Sequence, residues 1–407
     1  MKRIGNLYDK ILDIENIKYV YDKSVRRNTK NKSKIERFEQ NYASNLVYIK
    51  KILEERKYIP GKYNIFIINE PKIRLIMSQN IIDKVVNHLV SQYFLVNIFD
   101  KTLIDGNIAT RKGKGNNYGL KKLTKYLQKN VDKDLYILKF DIKKYFFNLD
   151  HQIIKKLIRK KIKDPDVLNI LDLIIDSTDN PYINKEIKKL KYNFKKKLEM
   201  KNISEKEKNK IIKDIDSIPE CKLGVSLPIG NLSSQTLAIL YLNEMDYYIK
   251  EKLKVKFYLR YQDDGVLISE DKNFLKECLK KLEKIIKKYK LEFNNKTRMY
   301  KLTSGFEFLG FRFIKIKNKL VIKVKNQTKR KFKRKIKKLY KLYKMNKINF
   351  DRIKMIESSY KGHLKNGNTN KLIINTKKMY EYSFYNNFGE KVIILPTGGI
   401  KICEMKK

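Results

Sequence analysis

Tyr261-Gln262-Asp263-Asp264 is the stretch that decides the fold of this chain. It lies between two apolar runs, Val255 to Tyr261 and Gly265 to Ser269, which predict two strands joined by a tight turn. Aspartate is common in turns because its side chain bonds to nearby amides, so an isolated Asp-Asp turn is more often structural than catalytic. The turn becomes informative only together with other acidic positions.

A second acidic position follows another predicted strand. The apolar run from Asp134 to Phe140 predicts a buried strand, and Asp141 comes directly after it. Between the two acidic positions, Gly224 to Gln235 forms a glycine-containing loop, and a helix is predicted over Ser233 to Leu253 behind a serine-rich start. With the amphipathic helix predicted over Phe274 to Tyr289 and a closing strand pair, this order predicts an antiparallel sheet backed by helices, the split βαβ arrangement. The closing pair is predicted at Phe306 to Ile314 and Leu320 to Val324.

The charge of the chain indicates a polyanionic partner. Among 407 residues, 94 are Lys or Arg and 44 are Asp or Glu, which gives a formal charge of +50. Such an excess disfavours a compact chain unless a polyanion is bound, and we expect nucleic acid. Coding bias toward lysine, together with solvated helix faces, is the alternative that composition leaves open. We expect no membrane partner and a cytoplasmic, unexported protein, because we find no apolar run of about 18 residues and no apolar leader.

Cysteine and histidine are scarce. Three of each occur, which predicts neither a disulfide framework nor a zinc module. We therefore expect metal chemistry to use carboxylates. Transfer of a nucleotide to a 3′-hydroxyl needs charge neutralised on the attacking and the leaving oxygen, and two Mg²⁺ ions about 3.5 to 4 Å apart do this. Magnesium takes oxygen ligands, so acids from neighbouring strands suit such a site.

The motifs together resemble the reverse transcriptase family, whose palm carries in order an Asp-initiated strand, a glycine-containing loop with its helix, and a Tyr-x-Asp-Asp hairpin. The resemblance spans about residues 1 to 375. It implies an RNA-directed DNA polymerase of the α+β class, a right hand with fingers, a ferredoxin-like palm (an antiparallel sheet backed by helices) and a helical basic thumb. The implied partners are a template RNA, a cDNA or primer strand and deoxynucleoside triphosphates.

The resemblance also implies roles for individual residues. Two Mg²⁺ ions, with Mn²⁺ as a substitute, are expected at Asp141, Asp263, Asp264 and the carbonyl of Ile142. Because successive strand residues point to opposite faces, Asp263 ranks above Asp264 as a ligand. Lys296 resembles the lysine that protonates pyrophosphate. The expected nucleotide-binding residues are Lys72, Arg74, Phe146, Ile229, Gly230 and Gln235, and the expected template- or primer-binding residues are Arg111, Lys112, Lys114, Tyr261, Phe308, Leu309 and Gly310.

Several of these residues have a structural alternative. Phe146 resembles a gate that collides with a 2′-hydroxyl, but Tyr145, Phe146 and Phe147 cannot all face the same way, and a core aromatic is the other interpretation. In so basic a chain, any single lysine can be a solvated charge, so Arg74 is the better candidate for a phosphate contact. Phe308 to Phe311 resembles the hairpin that supports the primer end, and the alternative, an ordinary buried strand, is compatible with that role.

Six segments are predicted along the chain. They are N-terminal helices and fingers (1–130), a first palm part (131–177), a charged helical insertion (178–221), a second palm part (222–325), a helical thumb (326–380) and a tail (381–407). We expect the insertion to be mainly solvated, because lysine and glutamate alternate there with few large apolar residues. The tail is too short for an RNase H, integrase or endonuclease domain.

The subgroup is indicated by the central loop. Ile229 to Gln235, Arg111 to Gly115 and the thumb segment Ser359 to Thr369 are similar to the enzymes of diversity-generating retroelements. That resemblance implies error-prone copying, chiefly at template adenines, with an accessory protein and a structured non-coding RNA. The insertion and the tail depart from this group, and phage-defence reverse transcriptases share many of the motifs. Retrons and group II intron maturases fit less well.

Two rival functions remain open at the level of sequence. A catalytically idle RNA-binding scaffold would use the same basic surfaces, but it would not need three buried acids, each of which is unfavourable unless paired or metal-bound. An RNA-synthesising polymerase would share the acids and would accept ribonucleotides as readily as deoxynucleotides.

Overall fold

The computed structural model describes residues 3–69, 72–200 and 203–370, residues 372 and 374, and two strands at 390–394 and 400–404. The chain divides into two compact units. The first is formed by Met1–Gly115, Leu138–Leu267 and Asn273–Arg298, and the second by Asn116–Ile137, Ile268–Lys272 and Met299–Lys407. Most of the predicted tail and the end of the predicted thumb lie outside the described residues, and the six-segment division stays a prediction.

Helices and strands are interspersed along the chain. The helices are α1 (Ile14–Val20), α2 (Lys32–Glu39), α3 (Tyr42–Glu54), α4 (Ile81–Val90), α5 (Asn97–Phe99), α6 (Asn116–Lys129), α7 (His151–Arg159), α8 (Pro165–Ile175), α9 (Tyr182–Glu199), α10 (Glu205–Asp216), α11 (Leu232–Tyr241), α12 (Asn243–Tyr247), α13 (Lys272–Lys288), α14 (Asn326–Lys344) and α15 (Phe350–Leu364). The strands are β1 (Asn64–Ile68), β2 (Arg74–Ser78), β3 (Tyr136–Asp141), β4 (Phe257–Tyr261), β5 (Asp264–Ser269), β6 (Arg298–Lys301), β7 (Phe306–Phe308), β8 (Phe311–Ile316), β9 (Lys319–Val324), β10 (Glu390–Ile394) and β11 (Ile400–Glu404). None of the described helices is long and apolar enough to cross a membrane.

The central sheet has the strand order β4-β5-β3-β6. This order places the predicted Asp-Asp hairpin beside the strand that ends in Asp141. Gly265 allows the close packing, since a Cβ at this position would lie 2.2 Å from the ring of Phe140 on β3. A side chain cannot be accommodated there without displacing the aromatic ring, so the glycine after the acids has a packing reason.

The β-rich runs Tyr63 to Ile68 and Arg74 to Met77 predict a finger hairpin, and an apolar helix is predicted over about 81 to 96. The hairpin is present as β1 and β2, which pair antiparallel with Asn64 opposite Ser78. α4 follows from its N-cap Asn80, whose side chain accepts the amide of Asp83. A π-helical segment, Ser91–Val96, continues α4, so the helical stretch predicted over about 81 to 96 is confirmed in extent.

The insertion packs against this hairpin, so the expectation of a mainly solvated segment is wrong for its first helix. Ile183 and Ile187 of α9 are fully buried. They share a core cluster with Tyr63, Ile65, Leu75 and Met77, and Leu190 packs against it. The apolar residues of α9 are few, but they recur at intervals of four and three, which places them on one helical stripe.

The predicted closing strand pair is wrong in two respects. Leu309 and Gly310 have φ of +48° and +87°, and this turn divides the predicted strand into the hairpin β7–β8. With β9 these strands form a separate three-stranded sheet, in the order β7-β8-β9. The strand that joins the central sheet is β6, which is only four residues long and carries little apolar pattern.

The second unit holds the basic helices predicted for a thumb. α14 ends at Lys344, as expected from its pattern, and α15 ends at Leu364. The chain then folds back on β9, where the Asn368 side chain accepts the amide of Ile322 at 2.7 Å. Residues 351 to 390 are predicted from the sequence to continue helically after α14. This prediction is wrong between 365 and 368, where the chain turns, and the remainder lies largely outside the described residues.

Candidate active site

The two acidic positions meet at one edge of the sheet. Asp141 is the last residue of β3, and the turn at Gln262-Asp263 joins β4 to β5. The amide of Ile142 donates a hydrogen bond to the carbonyl oxygen of Asp263 over 3.3 Å. The end of β3 is thereby attached to the turn, and the three aspartates lie in one neighbourhood.

Burial and mutual repulsion act on these carboxyl groups. The pKa of Asp263 is raised to about 6, first by burial and then by the negative charge of Asp141. The pKa of Asp264 is also raised to about 6 by burial; Lys139 opposes this, and the charges of Asp141 and Asp263 add to it. Two neighbouring acids that both resist ionisation in this way mark a place where positive charge is lacking.

The hydrogen bonding of Asp264 also shows that its charge is incompletely compensated. Its Oδ2 atom lies 3.3 Å from the Nζ atom of Lys139. Its Oδ1 atom is buried and has no hydrogen-bond partner. A buried carboxylate oxygen without a donor is unfavourable, and a bound cation would satisfy it. The donor set of three carboxylates fits a hard divalent ion such as Mg²⁺.

The ligand atoms of the three aspartates are more widely spaced than those of a second group of side chains. Among the described residues, the group of His, Cys, Asp or Glu whose ligand atoms all lie within 4.8 Å of one another is His151, Asp176 and Asp179. Asp264 is drawn toward Lys139 instead. The sequence pattern gives Lys139 no role, because an ion pair between neighbouring strands can be predicted only when the strand register is known.

A buried ion pair supports the turn from behind. Arg260 and Asp246 are both fully buried, with 2.6 Å between the Arg260 Nη2 and Asp246 Oδ2 atoms. Arg260 also donates through Nη1 to the carbonyl oxygen of Gln262 at 2.7 Å, and Gln262 has a left-handed φ of +56°. The arginine thus fixes the strained residue that precedes Asp263. Sequence reasoning missed this pair, although an arginine inside an apolar strand indicates a buried partner.

The cations predicted on the finger hairpin face the acids. Lys72 and Arg74 are exposed, and Arg74 is the first residue of β2. Their positive charges lower the pKa of Asp263, against the larger effect of burial. The structure therefore brings both cations into the field of the carboxylates, where a triphosphate would need them.

The three aromatic residues after β3 diverge. Tyr145 is buried, and its hydroxyl donates to the carbonyl of Ala238. Phe147 packs against the core cluster of the finger hairpin. Phe146 is half-buried, lies edge-on to the Tyr145 ring with 5.9 Å between centroids, and accepts the amide of Leu227 at its carbonyl oxygen. Of the three aromatic residues, only Phe146 is neither buried like Tyr145 nor packed against the finger core like Phe147.

The glycine-containing loop is attached to the finger strand β2. The carbonyl of Ile229 accepts the amide of Met77 at 3.0 Å. Gly230 has a φ of +133°, and a Cβ there would lie 3.2 Å from the Met77 carbonyl oxygen, so glycine is required. Gln235 is exposed, and its Oε1 atom accepts from the hydroxyl of Thr110 at 3.4 Å.

Thr110 links this loop to the acidic hairpin, and sequence reasoning missed it. Its hydroxyl accepts the Gln262 side-chain amide at 2.9 Å. The hydroxyl thus stands between Gln262 of the acidic turn and Gln235, which is one of the predicted nucleotide-binding residues. No sequence pattern distinguished this threonine from others.

The predicted template-contacting cations differ in their surroundings. The guanidinium of Arg111 is nearly buried and bonds to the Asp100 carboxylate at 2.6 Å, and to backbone carbonyls. Lys114 pairs with Asp105 at 2.8 Å. Lys112 is exposed. The geometry favours a structural role for Arg111, and of the three residues Lys112 best fits a contact with a nucleic-acid backbone.

The remaining predicted residues lie in different parts of the chain. Lys296 is exposed, in the segment whose Asn294 amide donates to the Asp141 carbonyl at 2.7 Å. Tyr261 is half-buried and packs against a small core cluster that includes Ala109 and Ile239. Phe308 is fully buried in the second unit, where Leu309 and Gly310 form the β7–β8 turn.

Comparison with known proteins agrees with the motif order. Residues 64–313, well over half of the chain, match the family described as "Reverse transcriptase (RNA-dependent DNA polymerase)". No curated protein matches the sequence. Among solved structures, the chain is similar to apo telomerase from Candida tropicalis, with a TM-score of 0.40 and 16% identity over 66% of this chain and 50% of that one. The chain thus spans half the length of that structure.

The family match covers the finger hairpin, the central sheet with its three aspartates, strand β7 and the first half of β8. It confirms the predicted α+β right-hand polymerase fold and the enzyme class, a nucleotidyltransferase. Divalent metal ions are in general the cofactors of this family. The chain therefore belongs to the reverse transcriptase family of RNA-dependent DNA polymerases.

Proposed function

We propose that this chain copies an RNA template into DNA at the edge of the central sheet where Asp141, Asp263 and Asp264 meet. The observation that carries the proposal is that these acids remain incompletely compensated, although Lys72, Arg74 and Lys139 lie near enough to lower their pKa values. Two acids have a pKa raised to about 6, and one buried carboxylate oxygen has no partner. In a chain of formal charge +50, acids left in this state indicate a site prepared for a cation.

Asp141, Asp263 and Asp264, with the carbonyl of Ile142, would hold two Mg²⁺ ions, for which Mn²⁺ could substitute. When bound, such ions neutralise the charge on the attacking and the leaving oxygen. Asp263 is the first choice as ligand, because after burial the charge of Asp141 has the largest effect on its pKa, whereas Lys139 has that place for Asp264. Asp264 is partly neutralised by Lys139 already.

The finger cations would bind the triphosphate. Arg74 suits a bidentate contact with phosphate oxygens, and Lys72 adds charge beside it. Lys296 is proposed to protonate the departing pyrophosphate. Phe146 would lie under the sugar of the incoming nucleotide, and Ile229, Gly230 and Gln235 would line the opposite side through the attachment of their loop to β2.

The template and primer strands would contact basic and aromatic residues other than the three catalytic aspartates. Lys112 is the best placed of the three predicted cations because it is exposed. Tyr261, next to the catalytic turn, and the hairpin at Phe308, Leu309 and Gly310 are proposed to support the primer end.

The subgroup that we favour is the diversity-generating retroelement type, which copies with errors at template adenines. Ile229 supports this, since an apolar residue replaces a polar one in a loop that is bonded to the nucleotide-facing finger strand. A structured non-coding RNA and an accessory protein are the proposed partners. A phage-defence reverse transcriptase is the alternative, and the packed insertion, which departs from the compact retroelement pattern, favours it.

Primer extension on an RNA template, with deoxynucleotides and Mg²⁺, tests the activity. The wild-type protein should extend the primer, EDTA should stop it, and Asp263→Asn should abolish it. Asp172→Asn, which alters an ion pair with Arg159 away from the site, is the matched control and should remain active. Activity retained by Asp263→Asn would refute the site, and RNA binding without any extension by the wild type would favour the idle scaffold.

The assignment of Phe146 is tested by sugar selectivity. Phe146→Ala should raise the use of ribonucleotides relative to deoxynucleotides by about 10- to 100-fold, because one steric contact is worth about 1–3 kcal/mol. Phe147→Ala is the control, since this ring packs against the finger core. Equal changes in both variants would show a loss of packing instead. A wild type that accepts ribonucleotides readily would indicate an RNA-synthesising polymerase.

Sequencing the cDNA made on a defined RNA distinguishes the subgroups. Substitutions concentrated at template adenines would support the retroelement type. If the Ile229→Gln variant makes fewer of these substitutions, the glycine-containing loop contributes to the errors. Few errors, spread over all four template bases, would favour the defence alternative.

A further inference from the structure

A second group of metal-ligating side chains lies outside the catalytic site. His151 is the first residue of α7 and is fully buried. Asp176 opens the 3₁₀ turn after α8, and Asp179 follows that turn. The His151 Nδ1 atom lies 3.1 Å from the Asp176 Oδ1 atom and 3.6 Å from the Asp179 Oδ2 atom.

The hydrogen bonding of His151 leaves one ring nitrogen turned toward the two carboxylates. The Nε2 atom lies 2.6 Å from the carbonyl oxygen of Ser226, which can only accept, so Nε2 carries a proton. In a neutral imidazole, Nδ1 then presents a lone pair to the two acids. Three electron-rich atoms within 4.8 Å of one another repel each other unless a proton or a metal ion lies among them.

The spacing of these atoms fits a metal ion. Ligands about 2.0–2.2 Å from zinc stand about 3.3–3.6 Å from one another in a tetrahedral shell, and the two measured separations lie close to this. A proton on Nδ1 could bridge to only one carboxylate. The second acid, at 3.6 Å, would remain without a partner on that side.

Each ligand atom is also held from behind. The His151 Nε2 hydrogen is donated to the Ser226 carbonyl. The second oxygen of Asp176 accepts from Lys155 at 2.5 Å, and the second oxygen of Asp179 accepts the Gly224 amide at 2.9 Å. Metal ligands in proteins show this arrangement, in which an outer partner fixes the tautomer and the orientation of each ligand.

Backbone strain at Ser226 supports the same conclusion. Its φ is +106°, a value that side-chain-bearing residues rarely adopt. This conformation directs the carbonyl oxygen toward His151, and the same oxygen accepts the Thr178 hydroxyl at 3.1 Å. The strain therefore serves the orientation of the histidine.

We propose that His151, Asp176 and Asp179 bind a single zinc ion, with water at the fourth position. A mixed imidazole and carboxylate set suits zinc better than magnesium, which prefers oxygen ligands alone. The side chain of Asp176 is 41% exposed, which gives an ion a path into the site. The sequence expectation that metal chemistry would use only carboxylates did not foresee this group, because His151 is 25 residues away from Asp176 along the chain and belongs to a different helix.

The site joins α7 and the end of α8 to the start of the glycine-containing loop, at Gly224 and Ser226. Ser226 is held by His151, and the next residue, Leu227, donates its amide to the Phe146 carbonyl at 2.7 Å. Zinc at this position would therefore stabilise the backbone on which the proposed sugar gate rests. The binding itself does not depend on the proposed polymerase activity.

Zinc binding by the full-length protein is tested by equilibrium dialysis against ZnCl₂ with excess MgCl₂, which occupies the catalytic acids, followed by metal analysis. The wild type and Asp263→Asn should each retain zinc in equal amounts. Asp179→Asn should lose at least about tenfold in affinity, as expected when a ligand is removed. Asp172→Asn, on the same helix pair but outside the group, should bind like the wild type.

Thermal unfolding provides the second measurement. ZnCl₂ at about 100 times the dissociation constant should raise the Tm of the wild type by several degrees, and MgCl₂ should not. The increase should be absent in Asp179→Asn, which is partly exposed and expected to fold. The proposal is overturned if the wild type retains no zinc and its Tm ignores ZnCl₂, since a protonated His151 would then be the cation. It is equally overturned if Asp179→Asn binds zinc like the wild type.

Discussion

Arg260 and Asp263 are three residues apart, yet the charge of Arg260 has a close partner within the protein and that of Asp263 has little compensation. The Arg260–Asp246 pair is fully buried, and both partners are satisfied within the protein. Asp246 accepts in addition from the Tyr258 hydroxyl at 2.7 Å. At Asp263 and Asp264, burial raises both pKa values to about 6, and one oxygen has no donor.

The difference separates a structural network from a functional one. Removing charges from water is unfavourable, and a buried ion pair offsets this with short, well-oriented hydrogen bonds. The aspartates of the hairpin receive less compensation than this. A protein retains such acids where an external cation supplies the missing interaction, so the unsatisfied pair marks the candidate site and the satisfied pair holds it in place.

The largest expected effect is on activity. Asp263→Asn should lower the rate of primer extension by roughly 10³-fold, because the charge stabilisation that a bound metal supplies is worth several kcal/mol. The Tm without metal should not fall. A carboxyl group with a raised pKa destabilises the native state above about pH 6, so the amide should stabilise the protein at pH 7.5.

This stabilisation has a defined dependence on pH. As the pH falls through about 6 toward 4, Asp263 becomes protonated in the native state, and the Tm difference between wild type and variant should disappear. Differential scanning calorimetry at a series of pH values measures it. A variant that is less stable than the wild type at pH 7.5 would contradict the comparison.

The satisfied pair should show the reverse behaviour. Asp246→Asn leaves the Arg260 charge buried without its partner, and the free energy of unfolding should fall by about 3–5 kcal/mol. Denaturant titration measures the loss. Asp172→Asn, which breaks the half-exposed pair with Arg159, should change stability by no more than about 1 kcal/mol. An equal decrease in the free energy of unfolding of the two variants would mean that burial of the Arg260–Asp246 pair does not determine its contribution to stability.

Activity should decline in acid in a way that follows the hairpin acids. Metal ligands must be deprotonated, so the rate at limiting Mg²⁺ should fall as the pH decreases below about 6, by up to about tenfold per pH unit for each proton taken up. Excess Mg²⁺ should partly restore it, because metal and protons compete. A rate that is constant between pH 5 and 7 would break the connection between the raised pKa values and the chemistry.

The smallest effect is expected at Lys139. Lys139→Met removes the charge that lowers the pKa of Asp264, so the acid limb of the pH profile should move to higher pH, by less than about one unit. Stability should change little, since the pair is partly exposed. A move to lower pH would show that Lys139 does not act on Asp264.

Much of the fold could be predicted from the sequence because its signals are local. The strands around the Asp263-Asp264 turn and the helices over 272–288 and 326–344 follow from apolar periodicity. The errors occurred where that signal was weak or misleading. β6 has only four residues, and the Leu309-Gly310 turn lies within an apolar run that resembles one strand.

The candidate site was predicted in part. The three acids and the finger cations could be proposed from the sequence because their residue types and order are specific, and their roles remain predictions. Arg260, Lys139 and Thr110 were not found, since each acts through a partner that is distant along the chain. The insertion was expected in solvent, because two buried isoleucines do not outweigh many lysines in composition.

The sequence by itself determined which residues carry charge, where the strands and helices form, and the family to which the chain belongs. Only the tertiary structure decided which charges are satisfied. Whether an acid is paired, repelled or left for a metal depends on atoms brought within a few ångströms by folding, and electrostatic energies in the interior change steeply over such distances. For this reason His151, Asp176 and Asp179 became a candidate site only in three dimensions.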